Sequence, residues 1–150
     1  MATSSTTHSL LERRSTDGDA RWGSRLLIAA LELLVGVGAV LGGWQMLADP
    51  LHPLGVTPAL LEGTPFADFV WPGFFLVSLV GVPPLVLAPA LLARVRGALP
   101  LSGLYGVGLM AWIVVQWVLI DDRLWLQPVI FGLGAVLAVT AGLAWRRGAR

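Results

Sequence analysis

Residues 26–47 read LLIAALELLVGVGAVLGGWQML, a run in which Glu32 is the only ionisable side chain. As a helix rising 1.5 Å per residue it is about 33 Å long, enough to cross the roughly 30 Å hydrocarbon core of a bilayer. Lengths above about 18 residues favour a spanning helix over a buried strand. The run contains eleven Leu, Ile and Val residues. At about −0.5 kcal/mol each on insertion they outweigh the roughly 3 kcal/mol cost of one carboxylate. The segment reads as a membrane span.

Outward from it, three more apolar runs follow, at 72–93, 101–120 and 125–145. None shows the segments of about ten alternating residues that a transmembrane barrel needs. The whole chain has 150 residues, 56% hydrophobic and 13% charged, with a mean hydropathy of +0.78. A soluble domain carries nearer 25% charge, so this apolar content cannot be covered by polar surface. The expected fold is all-α, a transmembrane four-helix bundle with a structured outer loop between helices 1 and 2. Residues 1–24 are rich in Ser, Thr, Asp and Arg and cannot offset their ordering entropy by burial. They are expected to be a disordered cytoplasmic tail, with 25–150 as the four-helix transmembrane domain. The tail is too long and polar for the n-region of a cleaved signal, and no A-x-A site follows, so span one is expected to be retained.

Orientation follows from arginine. The chain has ten Arg and no Lys, a skew that fits a GC-rich bacterial genome. Arg13, Arg14, Arg21, Arg25, Arg94, Arg96, Arg146, Arg147 and Arg150 fall on one side of the bundle, against Arg123 alone on the other. The positive-inside rule then places the protein in the inner (plasma) membrane as a multi-pass protein with both termini cytoplasmic. The outer side carries Asp49, Glu62, Asp68, Asp121 and Asp122.

The loop 48–70 contains two helix-start signals, Thr57-Pro58 and Thr64-Pro65, in which Thr can cap free amides and Pro suits the first helical position. Gly63 can end the first short helix. Phe66, Phe69 and Trp71 are expected to lay the second on the membrane surface, with Pro72 starting span two. The connection 121–124 is short enough to force spans three and four into an antiparallel hairpin.

Small residues are the expected packing surfaces, because close approach drives helix association in lipid. They occur as Gly38-x-x-x-Gly42 and Ala39-x-x-x-Gly43, Ser102-x-x-x-Gly106, and Gly134-x-x-x-Ala138-x-x-x-Gly142. Pro83-Pro84 near the middle of span two removes backbone donors and predicts a kink near Gly81, either a fixed bend or a hinge.

Five polar residues are the candidate binding groups: Glu32, Gln45, Asp68, Gln116 and Gln127. Glu32 shares a face with Gly36, Ala39 and Gly43, which puts it inside the bundle, either bonded to a neighbouring helix, paired with Arg25 or an inner-loop Arg, or serving a proton or substrate. Gln45, Gln116 and Gln127 fall near the outer span ends, where their amides either bond helix to helix or floor a pocket beneath the loop holding His52 and Asp68. Most of the seven Trp sit at interface depth. Trp112 and Trp117 lie inside span three instead, pointing in different directions.

The chain has no cysteine, which excludes disulfides, thiolate metal sites and thiol nucleophiles. Asp49 and His52 are too few for a metal, and His8 lies across the membrane from them. No G-x-S-x-G, H-E-x-x-H or phosphate-binding Gly-Lys loop occurs, so neither a catalytic set nor a cofactor is implied. The net charge of +1 excludes a nucleic-acid binder.

Taken with its Arg-flanked span one, the stretches Gly63-Thr64-Pro65-Phe66-Ala67-Asp68-Phe69, Trp71-Pro72-Gly73, Trp112-Ile113-Val114-Val115-Gln116 and Trp125-Leu126-Gln127-Pro128 resemble the small four-span bacterial membrane proteins of unknown function. In size, topology and long outer loop after span one, the chain is also similar to the DoxX-like group. That resemblance implies the architecture in outline and no activity. The favoured function is a non-enzymatic membrane protein, an accessory subunit or a binder of lipid or a membrane partner on the outer face. A small oligomeric transporter or channel is the alternative, and a membrane enzyme using Glu32 comes third. The partners this leaves are the lipid bilayer, another membrane protein or a second copy of the chain.

Overall fold

The four apolar runs are four helices in a computed structural model that describes residues 3–119 and 125–148, with side chains described except at 3–21, 54, 119 and 148. Helix α1 is Thr3–Ala48, α2 is Val70–Leu92, α3 is Ala98–Leu119 and α4 is Leu126–Gly148. Each is long and apolar enough to cross a membrane, and no strand occurs among the described residues. The protein is an all-α, multi-pass membrane bundle. The connection at 121–124, read as a tight hairpin, lies outside the described residues.

Residues 3–24 depart from the expected unordered tail: their backbone continues α1 without a break. Extending a helix already nucleated by a membrane span avoids the nucleation penalty, and no proline interrupts the chain before Pro50. At the arginine end of the bundle, Arg25 Nη1 donates to the carbonyl of Leu91 at the close of α2 (3.1 Å). Arg94 stacks over the Trp22 ring at 5.3 Å.

Glycines sew the helices into two antiparallel hairpins. In the first, a Cβ on Gly73 would sit 2.8 Å from the Met46 Cβ and 3.0 Å from the carbonyl of Gly43, while one on Gly36 would strike Leu85 at 2.8 Å. In the second, a Cβ on Gly106 would lie 2.6 Å from the carbonyl of Gly134, and one on Gly134 would lie 2.8 Å from that of Gly106. Gly43, Gly106 and Gly134 belong to the small-residue motifs of the sequence. Gly38 and Gly142 face nothing within 4 Å.

Helix α2 widens to π-type over Leu76–Gly81, the turn immediately before Pro83-Pro84. This is the form taken by the disturbance expected near Gly81. Pro84 has no N–H to return to the carbonyl of Val80, and the Tyr105 hydroxyl on α3 donates to that oxygen instead (2.7 Å).

The hairpins meet at the arginine end, where Ile28 and Ala29, Ala88 and Leu91, Ala98, and Leu137 and Ala141 form one buried cluster drawn from all four helices. A second buried cluster, Val35, Ala39, Val80 and Leu109, follows toward the loop end, with Leu76, Trp112, Ile130 and Leu133 packed less fully against it.

Candidate functional site

The connection between α1 and α2 folds back over the loop end of the bundle. The Phe69 amide donates to the Pro50 carbonyl (3.0 Å) and closes the base of the loop. Within it Pro58–Leu61 is a short 3-10 helix, followed by Gly63 at φ +82, a conformation that glycine adopts without cost. Thr57 makes no side-chain capping bond. The second expected helix start is corrected: Thr64 turns its hydroxyl back onto the Leu61 carbonyl (2.7 Å), and α2 begins only at Val70. Phe66 and Phe69 consequently point inward rather than onto the membrane surface, and Phe69 is only 3% exposed. Trp71 stays exposed.

Beneath this roof lies a cavity of about 220 Å³, walled by Leu60, Leu61, Phe66 and Phe69 from the loop and by Trp112 and Gln116 from α3. A second cavity of about 370 Å³ runs deeper between the hairpins, past Val35, Gly38, Ala39 and Gly42 of α1 and Ile130 and Leu133 of α4. Met46, Leu76, Trp112, Gln116 and Gln127 line both, so the two adjoin as compartments of one chamber that share these walls. Among the described residues its walls are apolar apart from the two amides, Thr64 and the indole of Trp112. Leu34 of α1 and Val129 of α4, both exposed, border it, so the chamber opens sideways between those helices toward lipid.

Of the five candidate residues, the structure brings two together here. Gln127 is 4% exposed and its Oε1 is buried without a hydrogen-bond partner. Gln116, half-buried, shares the chamber wall with it. Gln45 is exposed and lines neither cavity. Asp68 also lies outside: its Oδ1 accepts the Val70 amide (3.0 Å) and fixes the start of α2. A short carboxylate just before a helix satisfies an orphan donor, and that bond turns it away from the chamber.

Glu32 occupies a separate place, in the layer between the arginine-end cluster and the chamber floor. It is wholly buried and neither carboxylate oxygen has a hydrogen-bond partner. The ion pair with Arg25 does not form, since that guanidinium is engaged at Leu91. From α3, Ser102 and Tyr105 face the carboxyl. Each gives its proton elsewhere, Ser102 to the Ala98 carbonyl (3.0 Å) and Tyr105 to Val80.

Trp112 lines the chamber, whereas Trp117 stacks on Phe131 of α4 at 5.5 Å. Trp112 at mid-span depth was the sequence signal for the chamber wall. Met46, Leu76 and the inward Phe66 and Phe69 carried no such mark. Among the described residues no three His, Cys, Asp or Glu are grouped to hold a metal, and Asp49 Oδ1 accepts the His52 amide in a turn (3.1 Å). Comparison with protein-family models, with curated proteins and with solved structures finds no match to this chain.

Proposed function

We propose that this protein holds a hydrophobic, lipid-derived molecule in the chamber at its loop end and acts by binding rather than by catalysis. The carrying observation is the chamber itself: apolar walls, a folded roof and a side opening between α1 and α4. Pockets of a few hundred Å³ with apolar walls and a few convergent polar groups are the usual form of a small-molecule site. A side opening at membrane depth admits a bilayer-dissolved molecule without a passage through water. In this reading the loop end faces outward from a bacterial plasma membrane and both termini are cytoplasmic, supported by the arginines gathered at the other end.

Gly38 lines the chamber, and a Cβ added to it would meet nothing within 4 Å, whereas Gly132 is equally free of neighbours but lines neither cavity. Gly38→Leu therefore fills the chamber, and Gly132→Leu is its matched control. Organic extracts of purified protein are expected to contain less bound apolar molecule per chain for Gly38→Leu, with Gly132→Leu equal to wild type. Equal content in all three folded proteins contradicts the reading. For orientation, alkaline phosphatase fused after Arg150 is expected to be inactive and the same reporter inserted in the 49–69 loop active; the opposite pattern reverses the assignment.

A further inference from the structure

Resting on that reading, we infer that the molecule held in the chamber ends in one uncharged hydrogen-bonding group, a hydroxyl or an amide, seated against Gln127. Three observations converge. The Gln127 amide is more than nine-tenths buried, lines both cavities, and has a carbonyl oxygen with no partner among the described residues. Native structures rarely leave such a buried acceptor unmet, so an occupant that meets it gains what the protein leaves open. Gln116 lines the same passage and supplies a second amide, so the place offers both acceptors and donors.

The second observation is one of charge. Among the described residues no Arg, Lys, His, Asp or Glu lines either cavity. A carboxylate, phosphate or ammonium drawn in beside Gln127 would be buried with no counter-charge, which is costly for an ion in apolar surroundings. Third, Gln127 lines both the roofed cavity and the deeper one, and among the described residues the deeper one offers only apolar side chains besides the two amides and the Trp112 indole. An occupant with its polar end at Gln127 can lay its chain along Ile130 and Leu133 toward Val35. A neutral head on a long apolar chain satisfies all three conditions.

The test uses four ligands sharing one chain: hexadecane, 1-hexadecanol, hexadecanoate and hexadecylammonium. Full-length protein in detergent micelles is loaded with radiolabelled 1-hexadecanol, and each unlabelled compound competes at equal mole fraction in the micelle. Hexadecanol is expected to compete about tenfold better than hexadecane, the worth of one hydrogen bond to an unpaired buried amide. It is expected to exceed both ions by at least about a hundredfold. Gln127→Leu is expected to erase the advantage over hexadecane while leaving hexadecane unchanged. If hexadecane equals hexadecanol, or either ion matches it, the head-group assignment is overturned on wild-type protein alone, whatever the variant does. If labelled hexadecanol does not bind, or binds Gly38→Leu as it binds wild type, the chamber reading falls with it.

Discussion

The two ends of the bundle are built from the same four helices and differ in what the small residues between the two hairpins face. At the arginine end Ala29, Ala88, Ala98 and Ala141 lie together, all buried, and the hairpins close on one another. At the loop end Gly43 and Gly73 still sew the first hairpin, but toward the second hairpin Gly38 meets nothing and a Cβ on Gly42 would meet only Leu76 at 3.6 Å, so the same economy of volume leaves space instead of contact. A small residue in a membrane helix thus has two opposite uses. It draws a partner backbone close where one is opposite, and it makes room where none is.

The largest effect that separates these uses is expected within a hairpin. Gly106→Leu sets a Cβ 2.6 Å from a backbone oxygen that has no side-chain freedom to move. Overpacking of this kind is expected to lower stability by about 3 kcal/mol in a reversible unfolding titration in mixed micelles. A loss under about 1 kcal/mol would mean that the hairpin is not glycine-sewn. Glu32 tests the closed end. Because its carboxyl is wholly buried without a counter-charge and the two hydroxyls facing it bond backbone carbonyls, Glu32→Leu is expected to raise stability by about 1–2 kcal/mol in the same titration, and more than Glu32→Gln does. A carboxyl held by neutral donors would give the reverse order. Tyr105→Phe uncovers the Val80 carbonyl beside the prolines and is expected to cost about 1 kcal/mol. The smallest effect is expected at the open end, where Gly38→Leu should stay within about 0.5 kcal/mol of wild type, the usual range for a substitution that meets no neighbour. A larger loss would show that the space is absent.

The helices were legible because span length is a one-dimensional property: the run read as 26–47 lies within the span Trp22–Ala48, and that read as 72–93 is the helix Val70–Leu92. The contacts were only half legible. Ala39-x-x-x-Gly43 and Gly134-x-x-x-Ala138 mark real seams, yet Gly38-x-x-x-Gly42 has the same spacing and faces the chamber, because what stands opposite a glycine is decided by another helix. For the same reason Gly73 and Gly81, which pack against α1, carried no motif of their own. Among the amides, depth near the loop end was readable for Gln45, Gln116 and Gln127 alike. Rotation about the helix axis was not, and it leaves Gln45 outside. The turn of Phe66 and Phe69 inward depends on Thr64 bonding to Leu61, a local choice between capping forward and bonding back that sequence leaves balanced.

The contrast between the open and closed ends can be read on a single helix face. Ile130 lines the chamber and Leu137, two turns along α4, is buried in the arginine-end cluster. The chain has no cysteine, so a thiol placed at either position is the only one present. With Ile130→Cys and Leu137→Cys each treated with an apolar methanethiosulfonate in micelles, the thiol at 130 is expected to react at least about tenfold faster and to be protected by excess 1-hexadecanol. Equal rates at the two positions, without protection at 130, would contradict a bundle that is closed at one end and open at the other.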